Sequence, residues 1–263
     1  MSRNFELLQK LEQEFEVNRS REPEVQQSGQ GLIDSANPTA GSSGWQAAHV
    51  NDNDAVDGEV REQVAKLVRR LFGLPGGPRV VVFSGVDPKD GCSWMTVQVA
   101  KELAIQVPGS VCVVDANFRS PSLHNYFSAD NRCGLREALS ERGSIRNFAQ
   151  KLPIANLWLV PNGSSAANSE TFSTSNFRVL MAQLRREFDY VILDTPALNL
   201  HADAIAAAQS SDGIALVVCA HSTRRYVAKR VTQDLERAGV RLLGAVLNKR
   251  RYAIPEGVLK ILQ

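Results

Sequence analysis

Hydrophobic residues recur along most of the chain in short runs that contain no polar residue. Runs without polar alternation are typical of strands that are buried on both faces, as in a parallel sheet. Their β-branched content, as in the run Val80-Val81-Val82-Phe83, favours strands over helices. We predict strands at residues 80–83, 111–114, 157–160, 190–193, 214–218 and 242–247.

Between most of these runs, hydrophobic residues follow the three- and four-residue spacing of an amphipathic helix. An alternation of strands and helices produces right-handed βαβ units, in which helices cover both faces of the sheet. The predicted fold class is therefore a three-layer α/β domain with a mainly parallel central sheet. The predicted helices cover residues 60–71, 97–107, 177–188 and 227–235.

The N-terminal part of the chain has a different composition. Residues 16–57 are rich in Ser, Gln, Asn, Gly and Glu, and such a segment buries too little apolar surface to fold, so we predict a disordered linker. Residues 1–15 place Phe5, Leu8, Leu11 and Phe15 on one face of a short helix, which either docks on a partner surface or frays. The α/β domain is predicted to span residues 58–263.

Composition excludes several classes of protein. The 263 residues are 43% hydrophobic and 22% charged, with a formal net charge of +2, which is too balanced to indicate nucleic acid as a partner. The four cysteines show no metal-site or disulfide spacing, the polar opening differs from a secretory leader, and no apolar run is long enough to span a bilayer. We expect a cytoplasmic protein that has no transmembrane segment of its own.

A glycine-containing loop follows the first predicted strand and opens a helix, which is where backbone N–H groups cradle phosphates in nucleotide-binding proteins. The usual pattern ends in Gly-Lys-Ser/Thr. Here Gly91 and Ser93 are present, but Cys92 stands at the lysine position. The candidate residues for binding ATP or ADP in this loop are Gly85, Asp87, Pro88, Lys89, Asp90, Gly91, Cys92, Ser93 and Trp94.

Two aspartates leave buried strands further along the chain. Asp115 ends the second predicted strand and Asp194 ends the fourth, and a carboxylate at such a point would hold Mg²⁺ through its water shell. Aspartates at strand ends are also common turn or cap residues. We select Asp115 and Asp194 as candidate catalytic residues, and both of them with Ser93 as candidate Mg²⁺ ligands.

Residues 59–262 resemble the cytoplasmic domain of the bacterial tyrosine kinases (BY-kinases), the capsular exopolysaccharide branch of the ParA/MinD-type P-loop ATPases. The resemblance is carried by the loop from Gly85 to Ser93, by Asp115 with Arg119 and Pro121, and by residues 188–196, FDYVILDTP. It implies a P-loop NTPase-like fold with bound ATP or ADP and Mg²⁺. Later matches include residues 244–249, and the resemblance implies that the region of Asn248 holds the nucleotide base. Arg250, in the basic pair that follows Asn248, either lines the nucleotide pocket or is a solvated surface residue.

The sequence also departs from this family at four points. Cys92 replaces the lysine that reaches the phosphates, and Asn117 replaces the second carboxylate of the Asp115 motif. Tyr252 stands alone where the family has a tail of clustered tyrosines, and the Glu-x-x-Arg-x-x-Arg helix motif is missing. Together these changes predict a degenerate member of the family.

The resulting hypothesis is a regulatory partner in extracellular or capsular polysaccharide biosynthesis or export, with weak or absent nucleotide hydrolysis. Its implied partner is a membrane polysaccharide co-polymerase or a related export component, which would bring this protein to the inner membrane, and a homo-oligomer is also implied. The first alternative is an active ATP- and Mg²⁺-dependent tyrosine autokinase in which Lys89 or a residue of a partner replaces the missing lysine. The second is a ParA/MinD-type positioning ATPase.

Two further residues have alternative interpretations. Cys92 lies at a helix N-terminus, where a thiol with a lowered pKa would be redox-sensitive, but we favour a small residue that fills the space of the lysine. His201, near Asp203, either touches a nucleotide phosphate or caps the next helix, and we favour the cap. Cys112 and Cys219 lie in predicted strands and are expected in the core.

Overall fold

A seven-stranded sheet, with strand order β3-β4-β2-β5-β1-β6-β7, forms the centre of the part of the chain that the structure describes. The structure is a computed structural model and describes residues 58–141, 143–164 and 175–250, all of which belong to the second of two units into which the chain divides, residues 56–263. The predicted N-terminal helix within residues 1–15, the predicted linker over residues 16–57 and Tyr252 lie outside the described residues. The strands are β1 (Val80–Gly85), β2 (Val111–Asp115), β3 (Gln150–Lys151), β4 (Leu157–Val160), β5 (Tyr190–Thr195), β6 (Gly213–Cys219) and β7 (Leu242–Asn248).

The helices follow the predicted alternation with the strands. A 3₁₀ turn, Ile145–Phe148, adds to them between β2 and β3. None of the helices among the described residues has the length and apolar content that crossing a membrane requires. The helices are α1 (Gly58–Phe72), α2 (Cys92–Gln106), α3 (Leu123–Tyr126), α4 (Leu135–Ser140), α5 (Ser175–Glu187), α6 (Asp203–Ala208) and α7 (Arg225–Arg237).

The observed sheet confirms the predicted fold class and all six predicted strands. Every neighbouring pair is parallel except β3 with β4, where two residues, Gln150 and Lys151, pair antiparallel at the edge. The strands β1, β2 and β6 are buried along their whole length, as their unbroken apolar sequences predict. The sequence analysis missed β3, since two polar residues carry no periodic pattern.

Successive side chains of β1 separate two cores, one on each face of the sheet. Val80 and Val82 pack with the apolar faces of α5, α6 and α7, whereas Val81 and Phe83 pack with those of α1 and α2. This alternation follows from the two-residue period of a strand and produces the three-layer arrangement. The buried positions of Cys112 and Cys219 confirm that both belong to the core.

The strand order brings three strand ends together at one edge of the sheet. Because β5 lies between β1 and β2, the loop after Gly85 and the ends of the two acidic strands become neighbours. Asp115 stands directly opposite Asp194 in the register of β2 and β5. In parallel α/β sheets, ligands bind outside the carboxyl ends of the strands.

Candidate functional site

An open cleft of about 410 Å³ lies at the carboxyl ends of β1, β2 and β5. The loop between β1 and α2 forms one wall, and the segments that follow β2 and β5 form the others. The candidate loop residues from Asp87 to Trp94 line it together with Gly85, so the structure brings all nine of them to one cleft. The remaining lining residues are Asn117, Arg119, Ser120, Ser122, Tyr126, Thr195, Pro196, Ala197, Leu200 and His201.

The loop is held from the inside by one of its own carboxylates. Asp90 is 2% exposed, and its Oδ2 accepts a hydrogen bond of 2.8 Å from the backbone N–H of Asp87. The buried Thr223 donates its hydroxyl to the same carboxylate, 3.2 Å from Oδ1. Burial raises the pKa of Asp90, while these hydrogen bonds oppose the rise. Asp90 therefore ties the loop to the turn before α7.

The N-terminus of α2 opens into the cleft. Its N-cap is Gly91, which supplies no side-chain hydrogen bond, so the first-turn amides keep their capacity to bind an anion. Lys89 and Gly91 both have positive φ angles, 70° and 87°, which bend the loop around these amides. The loop therefore has the free first-turn amides that the predicted phosphate site requires, and phosphate binding stays a prediction.

Gly91 also has no space for a side chain. A Cβ at this position would collide with Nδ2 of Asn248, and the φ of 87° is one that other residues rarely adopt. We expect Gly91→Ala to lower the free energy of unfolding by about 1–3 kcal/mol. Urea denaturation of the variant beside Gly58→Ala, at the exposed start of α1 where an added Cβ meets nothing within 4 Å, measures the effect; equal losses for the two variants would contradict it.

Cys92 fills the lysine position without supplying a charge. Its Sγ lies 4.0 Å from Oγ1 of Thr96, inside the first turns of α2. Burial raises the pKa of the Cys92 thiol well above its usual range, and the nearby carboxylate of Asp194 contributes to the same rise. The alternative of a thiol with a lowered pKa is therefore wrong, and Cys92 is a neutral residue in the loop.

Asp194 is fully buried and does not itself line the cleft, but it is hydrogen-bonded to Ser93, which does. Ser93 donates its hydroxyl to Oδ2 at 2.6 Å, and Thr96 donates to Oδ1 at 3.3 Å. Burial and the neighbouring Asp115 raise the pKa of Asp194 to about 7, although these hydrogen bonds lower it. No lysine at position 92 compensates this charge.

Asp115 directs its carboxylate to backbone groups of its own loop. Its Oδ2 accepts from the N–H groups of Ser122 and Leu123, both at 2.9 Å, and its Oδ1 accepts from that of Asn117 at 3.2 Å. Burial raises its pKa to about 6, and the three backbone donors oppose that rise. The side-chain Oδ1 of Asn117 in turn accepts from the N–H of Ser120 at 3.1 Å, so this amide helps to shape the loop.

The donor set fits a magnesium ion that is shared with phosphates. Within the described ranges no group of three or more His, Cys, Asp or Glu side chains could hold a metal ion by itself. Mg²⁺ instead usually takes one or two protein oxygens, with waters and substrate phosphates completing its shell. Ser93 and Asp194, hydrogen-bonded to each other, would provide such oxygens, and Asp115 lies opposite Asp194 in the sheet.

Two predicted nucleotide-binding residues are not among those that line the cleft. Asn248 contacts the loop instead, donating from Nδ2 to the carbonyl of Asp90 at 2.8 Å. Arg250 is exposed and follows β7 by two residues. Both remain predictions as nucleotide-binding residues.

His201 lines the cleft and does not cap α6. The N-cap of that helix is Ala202, without a side-chain hydrogen bond, so the favoured cap interpretation is wrong. The cap was inferred from a histidine close to Asp203, but the helix begins one residue too late for His201 to serve. The cleft and loop also use Thr96, Thr223 and Tyr126, which the sequence analysis did not select. Thr96 could have been selected from the sequence, because it lies one helical turn after Cys92 and therefore on the same face of the helix.

Comparisons with known proteins agree with this geometry. A family model described as ATPase MipZ matches residues 79–220, more than half of the chain. The tyrosine-protein kinase Ptk of Acinetobacter johnsonii is 32% identical over 171 residues, which is 64% of this chain and 23% of Ptk. The tyrosine-protein kinase CpsD of Streptococcus pneumoniae is 27% identical over 65% of this chain and 76% of its own length. The chain thus spans about a quarter of Ptk and about three quarters of CpsD.

Solved structures share the fold. The chimerical protein CapA2B2 superposes with a TM-score of 0.70 at 22% identity, over 76% of this chain and 88% of that one. MinD of Pyrococcus horikoshii OT3, solved with Mg-ADP, has a TM-score of 0.57 at 18% identity, over 70% and 76%. The resemblance to the bacterial tyrosine kinases and to MinD-type proteins is confirmed. The chain therefore belongs to the ATPase MipZ family of ParA-like P-loop proteins, and tyrosine-protein kinases are among its relatives.

Proposed function

We propose that this chain is a degenerate nucleotide-binding domain of the BY-kinase type, which binds Mg²⁺-nucleotide weakly and hydrolyses it slowly or not at all. The observation that carries the proposal is the neutral Cys92 at the start of α2, packed beside Asp194. Hydrogen bonds to charged groups contribute about 1.5–3 kcal/mol each. The loss of two such contacts from a lysine corresponds to a factor of about 10² to 10⁴ in transition-state stabilisation.

The charges around the cleft support weak binding. Asp194 is buried and Asp90 nearly so, and Asp87 lines the opening, so a phosphate chain approaches several carboxylates. Two cationic side chains, Arg119 and Lys89, line the cleft. Nε of Arg119 lies 3.7 Å from Oδ2 of Asp203, so this carboxylate already offsets its charge, and Lys89 is exposed to solvent. Binding should therefore depend on Mg²⁺, which would offset part of this negative charge.

The proposed role is regulatory, in extracellular or capsular polysaccharide biosynthesis or export. The support is the relationship to tyrosine-protein kinases such as CpsD, together with the resemblance to the capsular branch of the family. A membrane polysaccharide co-polymerase is the proposed partner, reached by the N-terminal segment, and would bring this otherwise cytoplasmic protein to the inner membrane. A nucleotide-dependent change of the cleft would then be read by the partner, with homo-oligomers as part of the assembly.

Two active alternatives have specific support. An ATP-dependent tyrosine autokinase is favoured by the retained pair of Ser93 and Asp194, hydrogen-bonded at 2.6 Å, and by the kinase relatives. A positioning ATPase is favoured by the family model over residues 79–220. Both require turnover, which the regulatory proposal does not.

Calorimetry and phosphate release separate these functions. We expect the purified full chain to bind ADP and ATP weakly and only with Mg²⁺, and to release phosphate no faster than Asp194→Asn, which removes the buried carboxylate. Phosphate release by the unmodified chain that disappears in Asp194→Asn would contradict the regulatory proposal. A phosphotyrosine on Tyr252, found by mass spectrometry after incubation with Mg-ATP, would favour the autokinase.

A further inference from the structure

Two consecutive side chains from the end of β7 contact the phosphate-binding loop. Asn248 donates from Nδ2 to the carbonyl of Asp90 at 2.8 Å, and Lys249 donates from Nζ to the carbonyl of Lys89 at 2.7 Å. Gly91 lies against the same pair, since a Cβ added there would meet Asn248 and would lie 3.7 Å from Cε of Lys249. Two successive loop residues, Asp90 and Lys89, are thus hydrogen-bonded to residues 158 and 160 positions away in the chain, and Gly91 packs against the same two side chains.

A kink at Lys249 makes this arrangement possible. Consecutive side chains of a regular strand point to opposite faces, so they would not reach the same loop. Lys249 has a φ of 57°, in the left-handed region, and its backbone N–H donates to Oδ1 of Asn248 at 2.9 Å. The carbonyl of Asn248 is anchored by the N–H of Ala220 at 2.8 Å. Lysine seldom adopts this left-handed backbone conformation. At Lys249 it brings the side chains of Asn248 and Lys249 to the same loop.

We infer that Lys249, directly after β7, is a positioning residue of the phosphate-binding loop, which its ammonium group holds without itself lining the cleft. Its hydrogen bond fixes the carbonyl of Lys89, and with it the pair of left-handed turns at Lys89 and Gly91 that opens the first amides of α2 to the cleft. It also brings a positive charge to a loop surrounded by carboxylates. The consequence for phosphate binding rests on the proposed function; the effect on the loop does not.

This assignment differs from the replacement by Lys89 that the sequence suggests. Lys89 takes part through its backbone carbonyl, which is the acceptor for Lys249, while its side chain is exposed at the cleft. Lys249 follows directly after a residue that was selected for a role near the base. Its reach to the loop depends on the left-handed kink, which carries no sequence signal.

Thiol labelling of ligand-free protein tests the effect on the loop. In a Cys133→Ser background, which removes the exposed cysteine, Cys92 becomes the most accessible thiol, since Cys112 and Cys219 are buried. We expect Lys249→Met to increase the labelling rate of Cys92 about three- to tenfold, since a charge-assisted but solvent-exposed hydrogen bond is lost. Lys249→Arg should restore protection. Lys229→Met, which removes an exposed lysine from α7, is the matched control and should have no effect.

Calorimetry with Mg-ADP tests the consequence for binding. We expect Lys249→Met to weaken binding about three- to tenfold relative to Lys229→Met, with Lys249→Arg close to the unmodified chain. Unchanged labelling of Cys92 in Lys249→Met would overturn the inference, whatever happens to affinity. Increased labelling supports it, and if no variant then binds Mg-ADP, the proposed nucleotide-binding function fails while the positioning of the loop stands.

Discussion

Replacing Asp194 with asparagine should stabilise the ligand-free protein at alkaline pH, although it removes a candidate catalytic group. The carboxylate is fully buried beside Asp115, and its pKa is raised to about 7. A neutral amide of the same shape avoids the cost of a buried charge. Since a tenfold change in a proton equilibrium corresponds to about 1.4 kcal/mol, we expect Asp194→Asn to gain on the order of 3 kcal/mol at pH 8.

The direction of the pH dependence follows from the raised pKa. A carboxyl group whose folded-state pKa lies above its unfolded value of 3.8 holds its proton more tightly in the folded protein. Its contribution to stability is therefore complete below about pH 4 and is lost as the pH rises through about 7. Asp115, with a pKa of about 6, acts in the same direction. The ligand-free protein should thus lose stability between about pH 4 and pH 7, and the loss should be smaller in Asp194→Asn.

Urea denaturation at pH 5, 6, 7 and 8 measures this difference. The matched control is Asp234→Asn, which removes a carboxylate from the surface of α7, where the side chain is 44% exposed. That variant should show the pH profile of the unmodified chain. If Asp194→Asn is less stable at pH 8 than at pH 5 by as much as the unmodified chain, the buried charge of Asp194 is not the cause.

A site that destabilises its own ligand-free fold has a functional meaning. Mg²⁺ would provide the positive counter-charge that the buried carboxylates of Asp194 and Asp115 lack. The protein with bound Mg²⁺-nucleotide should therefore be more stable than the ligand-free protein. A lysine at position 92 would provide part of that charge without any ligand. Cys92 provides none of it, so we expect the stability of the cleft to depend on its ligand.

Much of the fold was predictable because the strands are buried on both faces. Runs such as residues 80–83 and 190–193 carry no polar residue, and this pattern can be satisfied only inside a sheet covered by helices. The loop after Gly85 and the aspartates at positions 115 and 194 then fall at strand ends by necessity. The loop and the two aspartates are neighbours because the parallel strands that carry them have their carboxyl ends at the same edge of the sheet.

The remaining features depend on contacts between distant parts of the chain. The hydrogen bonds of Asn248 and Lys249 to the loop arise from a strand end whose backbone turn has no sequence pattern. The raised pKa of Cys92 depends on its burial next to Asp194, a residue more than a hundred positions away. A helix N-terminus alone suggested the opposite shift. Local motifs predicted which residues lie at the carboxyl ends of the strands. Burial and neighbouring charges, which the motifs do not show, determine the pKa values of those residues.

Restoring the missing lysine should have the largest effect on binding. In Cys92→Lys the new ammonium group extends from the first turn of α2 into the cleft that Cys92 lines. It would hydrogen-bond to the phosphates and neutralise part of the charge of Asp194, lowering the pKa of that carboxylate. We expect affinity for Mg-ATP to rise about 10²-fold, as one or two charge-assisted hydrogen bonds are gained. Isothermal titration calorimetry of both proteins measures the gain.

Cys92→Met separates the charge from the size of the side chain. Methionine has a length similar to that of lysine but no ammonium group, so it should leave the affinity unchanged or lower it. Cys92→Lys should also flatten the fall in stability between about pH 4 and pH 7, because the ammonium group favours ionised Asp194 in the folded state. If Cys92→Lys folds but binds Mg-ATP no more tightly than Cys92→Met, the lysine is not what limits this cleft. The weakness would then lie in the Asp115 loop, where Asn117 stands in place of the family's second carboxylate.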